Sequence, residues 1–343
     1  MKIINLASDT VTKPSAQMLE AMMKAEVGDD VFKEDPTAEA LQAYAANLFG
    51  KEKALFCPSG TMTNQLAIKT HTSPMDEVIC DKDSHIYHYE NGGYAWHSGV
   101  AIQLIDGTNG IINADQIKAA IKPAHDWLPI SKLVVLENTS NRGGGGFYTL
   151  DQIKPIRRLC TEKGLRLHLD GARLFNALIE SGESTAEWGQ EFDSISICLS
   201  KGLGAPVGSL LIGDADFIAK ARRFRKGMGG GMRQVGYLAA AGLFALQNNV
   251  QRLKDDHIRA KSLAELLSSK SFVAKILPVK TNILIFDLVD GIDTATFLGL
   301  LADKGVKASA FGPQTVRMVT HLDFTGQDLV RTLDIIDQMN IGF

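Results

Sequence analysis

Short apolar runs alternate with helical patterns along most of this chain, and that alternation limits the possible folds more than any other feature. Ala54-Leu55-Phe56-Cys57 and Glu77-Val78-Ile79-Cys80 read as strands. Ala101 to Ile105, Lys132 to Leu136, Leu165 to Leu169, Ser194 to Cys198 and Gly208 to Ile212 continue the series. Between them lie amphipathic stretches such as Leu150 to Lys163, where Ile153, Ile156, Leu159 and Cys160 recur at helical spacing. Strands covered on both faces read as near-continuous apolar runs, so the pattern predicts an α/β fold with a mostly parallel sheet between helices. A long helical region follows, Gln234 to Ser269, with Leu263, Leu266 and Leu267 as its apolar stripe. After it come a strand (Asn282 to Leu288), a helix (Thr294 to Lys304), a strand (Thr315 to Thr320) and a helix (Gly326 to Met339). The expected division is a large unit, residues 1–249, and a small C-terminal α+β unit, residues 250–343. Residues 1–14 are expected to pack near the small unit and the active site.

Composition narrows the partners. The formal net charge of −3 advertises no basic face for nucleic acid. No apolar run approaches the roughly 20 residues of a membrane span, and Met1-Lys2-Ile3-Ile4-Asn5-Leu6 lacks a long apolar leader core. Cys57, Cys80, Cys160 and Cys198 follow no disulfide or metal spacing, and are expected to be reduced, mostly buried thiols in a cytoplasmic protein.

Two apolar runs end in chemistry. Ser194 to Leu199 delivers Ser200, then Lys201, Gly202 and Gly204; 31 positions before that lysine, Leu165 to Leu169 delivers Asp170, Gly171, Ala172 and Arg173. An amine and a carboxylate at the ends of neighbouring buried strands suit pyridoxal phosphate chemistry, in which a lysine forms a Schiff base and an acid keeps the pyridine nitrogen protonated. A lysine after a strand is otherwise a solvated strand end; Asp170, Arg173 and the glycines favour the functional reading.

Such a cofactor also needs a phosphate cradle. Cys57-Pro58-Ser59-Gly60-Thr61-Met62-Thr63-Asn64 follows a strand and opens a helical pattern, Gln65 to Thr70. Helix N-termini offer free N–H groups and a positive dipole end to a dianion. By itself Ser-Gly-Thr is an ordinary turn and N-cap. The chain has neither GxxxxGK[ST] nor a clean GxGxxG after a strand, which argues against nucleotide and nicotinamide sites.

Taken in order, these segments resemble the low-specificity L-threonine aldolases, within the fold-type I pyridoxal phosphate enzymes. The similarity runs over nearly the whole length. It includes Ser8-Asp9-Thr10-Val11-Thr12, Val27-Gly28-Asp29-Asp30-Val31, Glu34-Asp35-Pro36-Thr37, Pro58-Ser59-Gly60-Thr61-Met62 and Ser84-His85-Ile86-Tyr87. It continues through Glu137-Asn138-Thr139, His168-Leu169-Asp170-Gly171-Ala172-Arg173, Leu199-Ser200-Lys201-Gly202-Leu203 and Gly229-Gly230-Gly231-Met232-Arg233-Gln234. The resemblance implies a seven-stranded main sheet and retro-aldol cleavage of a β-hydroxy-α-amino acid. It gives Lys201 the Schiff base and Asp170 the pyridinium nitrogen, stacks His85 on the ring, and sets Ser59, Gly60 and Thr61 at the phosphate. Arg173, Arg317 and Ser8 are the expected carboxylate binders, since arginine takes carboxylates as a fork. The base is left open among His85, His125 and Glu90. Lys226 and Arg233 are expected to reach a neighbouring subunit's cofactor in a homotetramer with shared sites. Lys226 otherwise belongs to a solvated basic helix face with Arg222, Arg223 and Arg225.

The chain departs from the common pattern of that family. Phe32 and Lys33 stand where many relatives have tyrosine and glycine, and Ser140 where they often have histidine. The run Gly143-Gly144-Gly145-Gly146 reads as a mobile turn. A different pyridoxal phosphate reaction, such as β-elimination or transamination, and a non-catalytic anion-binding protein are the competing readings.

Overall fold

The computed structural model describes residues 2–339. The strands of the large sheet region, after the short β1 (Ile4–Asn5), are β2 (Lys53–Cys57), β3 (Asp76–Asp81), β4 (Ala101–Ile105), β5 (Ile130–Glu137), β6 (Arg166–Gly171), β7 (Ser194–Cys198) and β8 (Ser209–Gly213). The C-terminal strands are β9 (Val273–Ile276), β10 (Ile283–Leu288), β11 (Val306–Lys307), β12 (Ser309–Ala310) and β13 (Thr315–Val319).

Seven strands form the main sheet in the order β2-β8-β7-β6-β5-β3-β4. Neighbours from β4 to β7 run parallel, while β8 lies antiparallel to both β7 and β2. The reversal has a local cause. Residues 199–208 return the chain directly beside β7 without a crossover helix, a connection open only to antiparallel neighbours. That connection carries Lys201. Helices cover the sheet; Leu136, Leu167 and Ile195 from its strands join Ile153, Ile156 and Leu159 of the helix Leu150–Lys163 in the largest core cluster.

The expected long helix is two helices, Gly236–Asn248 and Leu253–Ser268. The second packs Leu263 and Leu267 into another core, with Leu284 and Phe286 of β10, Val316 and Met318 of β13, and Phe297 and Leu301 of the helix Thr294–Asp303. Its sheet is antiparallel, in the order β12-β13-β10-β9. Full burial of a side chain such as Phe297 is worth about 2–3 kcal/mol. The N-terminal strand β1 pairs with β11, and Leu6 enters the same core. All four cysteines are buried and unpaired. Among the described residues no helix is long and apolar enough to cross a membrane.

The glycine run departs from the sequence expectation. Gly144, Gly145 and Gly146 are buried in a packed turn. A Cβ on Gly145 would stand 2.4 Å from Thr281 Oγ1, and one on Gly143 2.0 Å from the Asn109 carbonyl oxygen. The glycines are there because backbone approaches too closely for a side chain.

Candidate active site

The strand ends bring the candidate residues to one edge. In register, Cys57 pairs with Ser209 and Ser209 with Cys198, so the Ser59-Gly60-Thr61 turn after β2 lies beside the Lys201 connection after β7. Glu137 pairs with Asp170 across β5 and β6, and Asp170 with Ser196 across β6 and β7. The segment after β3 adds His85 to this edge, since the His85 backbone N–H donates to Glu137 Oε2 at 2.7 Å. Carboxyl ends of strands in an open α/β sheet form the usual ligand crevice.

Asp170 is buried, with Oδ1 accepting from the Ala172 N–H at 3.1 Å and Oδ2 from Asn64 Nδ2 at 2.8 Å. His85 Nδ1 lies 2.8 Å from Glu90 Oε1. Burial alone would lower the His85 pKa, but the Glu90 hydrogen bond and the charges of Asp170, Glu90 and Glu137 raise it. Glu90 also accepts from Asn64 Nδ2 at 2.9 Å and Gln65 Nε2 at 2.6 Å, and its side chain is closed off from solvent. This corrects the expectation for Glu90. It sits behind His85 as its orienting partner, with no open face for substrate. Glu137 was missed as a site residue, although it ends an apolar run in a quoted segment. Its oxygens accept the His85 and Asn141 backbone N–H groups at 2.7 and 2.8 Å. Burial, then the Asp170 charge, pushes its pKa up to about 7.

Arg173 is also corrected. Its Nε donates to Asp9 Oδ2 and its Nη2 to Asp9 Oδ1, both at 2.7 Å. The fork expected for a substrate is therefore occupied, leaving Nη1, 3.5 Å from Asn141 Oδ1. Ser8 caps the short helical turn Asp9–Val11, its Oγ accepting from the Thr10 N–H, and so fixes the segment that carries Asp9. Arg317 presents the opposite picture. It is 8 % exposed, and its Nε is buried with no hydrogen-bond partner. Burial and then the nearby Arg173 charge bring its pKa down to about 10. The Phe311 ring lies 5.3 Å from the guanidinium carbons of both Arg317 and Arg142.

At the cradle, Ser59 Oγ caps the helix Gly60–His71 by accepting from the Met62 N–H at 3.1 Å. The Gly60 and Thr61 N–H groups lie in the first turn, where no preceding turn supplies acceptors. Lys201 is half-buried, and its carbonyl accepts from Thr12 Oγ1 at 2.9 Å.

The basic stretch is not simply a solvated face. Arg225 is buried, donating to Asp30 Oδ2 and the Phe56 carbonyl, both at 2.5 Å. Lys226 lies exposed in the last turn of the helix Ala215–Gly227. Arg233 has a task in its own chain, an ion pair with Asp29 Oδ2 at 2.7 Å. His125 is not brought into the site of its own chain. It is exposed, stacked on Trp127 in the loop before β5, at the opposite end of that strand from Glu137. An eight-residue strand puts roughly 23 Å between those ends. Ser140 turns its hydroxyl to the Gly143 N–H at 3.1 Å, and a Cβ on Gly110 would meet that hydroxyl at 2.0 Å.

The donor set fits pyridoxal phosphate. A helix N-terminus can take the dianion, Asp170 the ring nitrogen, the His85 imidazole the ring face and Lys201 the aldehyde carbon. His85, Glu90 and Asp170 also place ligand atoms within 4.8 Å of one another, as a metal cluster would. Their hydrogen bonds to Asn64, Gln65 and Ala172 account for that spacing.

Comparison with known proteins gives the same direction. The beta-eliminating lyase family model matches residues 5–290. Over 329 residues the chain is 45 % identical to the low specificity L-threonine aldolase of Escherichia coli K12, covering 95 % of this chain and 96 % of that one. Over 345 residues it is 40 % identical to low-specificity L-threonine aldolase 1 of Arabidopsis thaliana, covering 98 % and 96 %. The threonine aldolase structure from Leishmania major superposes with a TM-score of 0.85 at 22 % identity, over 98 % of this chain and 99 % of that one.

Proposed function

The chain belongs to the beta-eliminating lyase family and, within it, to the low specificity L-threonine aldolases, and from that premise we propose that it cleaves L-threonine and L-allo-threonine to glycine and acetaldehyde. Other β-hydroxy-α-amino acids are included in the proposal. In the reaction the Cα–Cβ bond breaks and its electron pair stays with Cα. The β-hydroxyl loses a proton as the aldehyde forms, and Cα gains one to give glycine. Pyridoxal phosphate, when bound, supplies the conjugated ring that draws that electron pair away from Cα.

The observation that carries this reading is Arg317. A buried guanidinium without an anion is costly, and no carboxylate among the described residues pairs with it. A substrate carboxylate supplies the missing acceptor. Arg173 Nη1, held in place by Asp9, adds a second donor. Lys201 would hold the cofactor, Ser59, Gly60 and Thr61 would bind its phosphate, and Asp170 would serve its ring nitrogen. His85 covers the ring and moves the β-hydroxyl proton at Nε2, directly or through water, while Glu90 fixes Nδ1. Residues 1–249 form the cofactor-binding unit, and residues 250–343 the unit that brings Arg317. The protein works in the cytoplasm as a homotetramer with shared sites. Exposed Phe32, beneath Arg233 at 5.8 Å, supports a subunit contact on that face.

The test supplies each threonine diastereomer to purified enzyme loaded with pyridoxal phosphate. Glycine and acetaldehyde should appear in equal amounts. Ammonia with 2-oxobutanoate would identify β-elimination and refute the aldolase reading.

A further inference from the structure

The helix Gly60–His71 lies on the main sheet through a polar seam. Side chains two apart share a strand face, so His168 and Asp170 point the same way from β6, as do Ser194 and Ser196 from β7. His168 is in register with Ser194 and Asp170 with Ser196. Asn64 and His71, seven apart on the helix, face the same seam. Thr63 Oγ1 closes on Ser196 Oγ at 2.6 Å. Asn64, His168, Ser194 and Asp170 are all at most 3 % exposed, so each polar atom needs a partner.

The partners fix the direction of the protons from Asn64 to His71. Asn64 Nδ2 faces two carboxylate oxygens, Asp170 Oδ2 at 2.8 Å and Glu90 Oε1 at 2.9 Å, which only an N–H group can do. Asn64 Oδ1 is therefore turned to His168 Nε2, 3.3 Å away, and that nitrogen carries the hydrogen. Burial lowers the His168 pKa to about 4, so its ring is neutral and Nδ1 is bare. Nδ1 then accepts from the Ser194 hydroxyl at 2.8 Å. The Ser194 carbonyl, 3.1 Å from the same nitrogen, is the competing partner. Donating to it would reverse the tautomer and leave His168 Nε2 and Asn64 Oδ1 as two facing acceptors. With its hydrogen committed, Ser194 Oγ accepts from His71 Nε2 at 2.8 Å. His71 is neutral as well, its pKa lowered to about 3 by burial and then by His168.

We propose that His71, Ser194, His168 and Asn64 form a one-way hydrogen-bond relay ending on Asp170 and Glu90, with Asn64 the positioning residue that donates to both. The proposal rests on the reading of Asp170 as the partner of the cofactor's ring nitrogen. Asn64 touches neither substrate nor ring in this scheme. It acts through Asp170, whose orientation it fixes, and through Glu90, which fixes His85.

Neutron diffraction on deuterated holoenzyme reads the relay directly. Deuterium is expected on His168 Nε2 and on His71 Nε2, with both Nδ1 atoms bare. Deuterium on His168 Nδ1 would overturn the relay. The positioning role is read in Asn64→Leu, which keeps the volume but not the amide. Its bound cofactor's absorbance should titrate at a shifted pH. Its kcat should fall about tenfold to a hundredfold, the value of one lost hydrogen bond to a charged group, with KM nearly unchanged. Asp170→Asn serves as the reference. If Asp170→Asn changes the cofactor spectrum and Asn64→Leu does not, the positioning role is wrong. If Asp170→Asn itself leaves spectrum and turnover unchanged, the reading of Asp170 is wrong. Should Asn64→Leu fail to fold, Ser194→Ala keeps the test: Asn64 Oδ1 still faces His168 Nε2, so the deuterium should stay on Nε2, and deuterium on Nδ1 in that variant would refute the relay.

Discussion

Asp9 and Arg173 meet through two parallel 2.7 Å hydrogen bonds, with side-chain exposures of 0 and 5 %. The pair ties the N-terminal segment to the edge of the main sheet. Among the described residues it leaves Arg317 as a buried cation with no ion-pair partner of its own.

Breaking that pair should be expensive and pH-dependent. Burial favours the protonated Asp9 carboxyl, but the Arg173 charge and hydrogen bonds outweigh it and hold Asp9 well below the usual carboxylate range. Its contribution is therefore complete above the unfolded value of about 4 and is lost as pH falls toward the folded one. Asp9→Asn should cost about 3–5 kcal/mol near neutrality. Urea unfolding between pH 5 and about 2 should show a shallower acid loss in Asp9→Asn than in the parent. Parallel pH curves would contradict the assignment.

For Arg317 the expected effects on binding and stability are opposite. Arg317→Met removes an unpaired buried charge and should raise substrate-free stability by about 1–3 kcal/mol, read from thermal midpoints. The same change should raise KM for threonine on the order of a hundredfold, because a charge-assisted fork is lost. Arg317→Lys keeps the charge without the fork and should also bind poorly. Unchanged KM in both variants would remove Arg317 from the site.

Glu137 should impose a pH dependence of the other sign. A carboxyl raised from 4.5 to about 7 contributes stability that is full below its unfolded value and is lost as pH rises toward 7. The span corresponds to roughly 3 kcal/mol. Glu137→Gln should therefore flatten the decline in stability between pH 4.5 and about 7. A decline as steep as the parent's would show that another group titrates there.

Lys33 occupies a left-handed backbone position, with φ 64° and ψ 34°, after the short helix Asp30–Phe32. A side chain there costs about 1 kcal/mol, and this lysine is exposed and recovers little by packing. Lys33→Gly should raise stability by about 0.5–1 kcal/mol in urea titrations. A loss would mean that the lysine has a partner.

The sheet was legible because buried parallel strands have a distinctive apolar pattern, and Asp170 and Lys201 stood out as charged residues at strand ends. The break between Asn248 and Leu253 was not, since no proline or glycine marks it. Pairings across the sequence were least legible. Nothing local shows that Arg173 belongs to Asp9, 164 positions away, or that Arg225 belongs to Asp30, 195 away. The polar seam left a faint signal in the alternation Leu167-His168-Leu169-Asp170 and Ser194-Ile195-Ser196-Ile197. Its meaning depended on a helix that only the fold places there.

Lys201 carries the account, and borohydride trapping tests it most directly. Reduction of the purified, cofactor-loaded protein, followed by proteolysis and mass mapping, should find the pyridoxyl group on the peptide containing Lys201 and on no other lysine. Lys201→Ala should take up no label and lose steady turnover. A pyridoxyl group on a different lysine, or none at all in protein that cleaves threonine, would contradict the account.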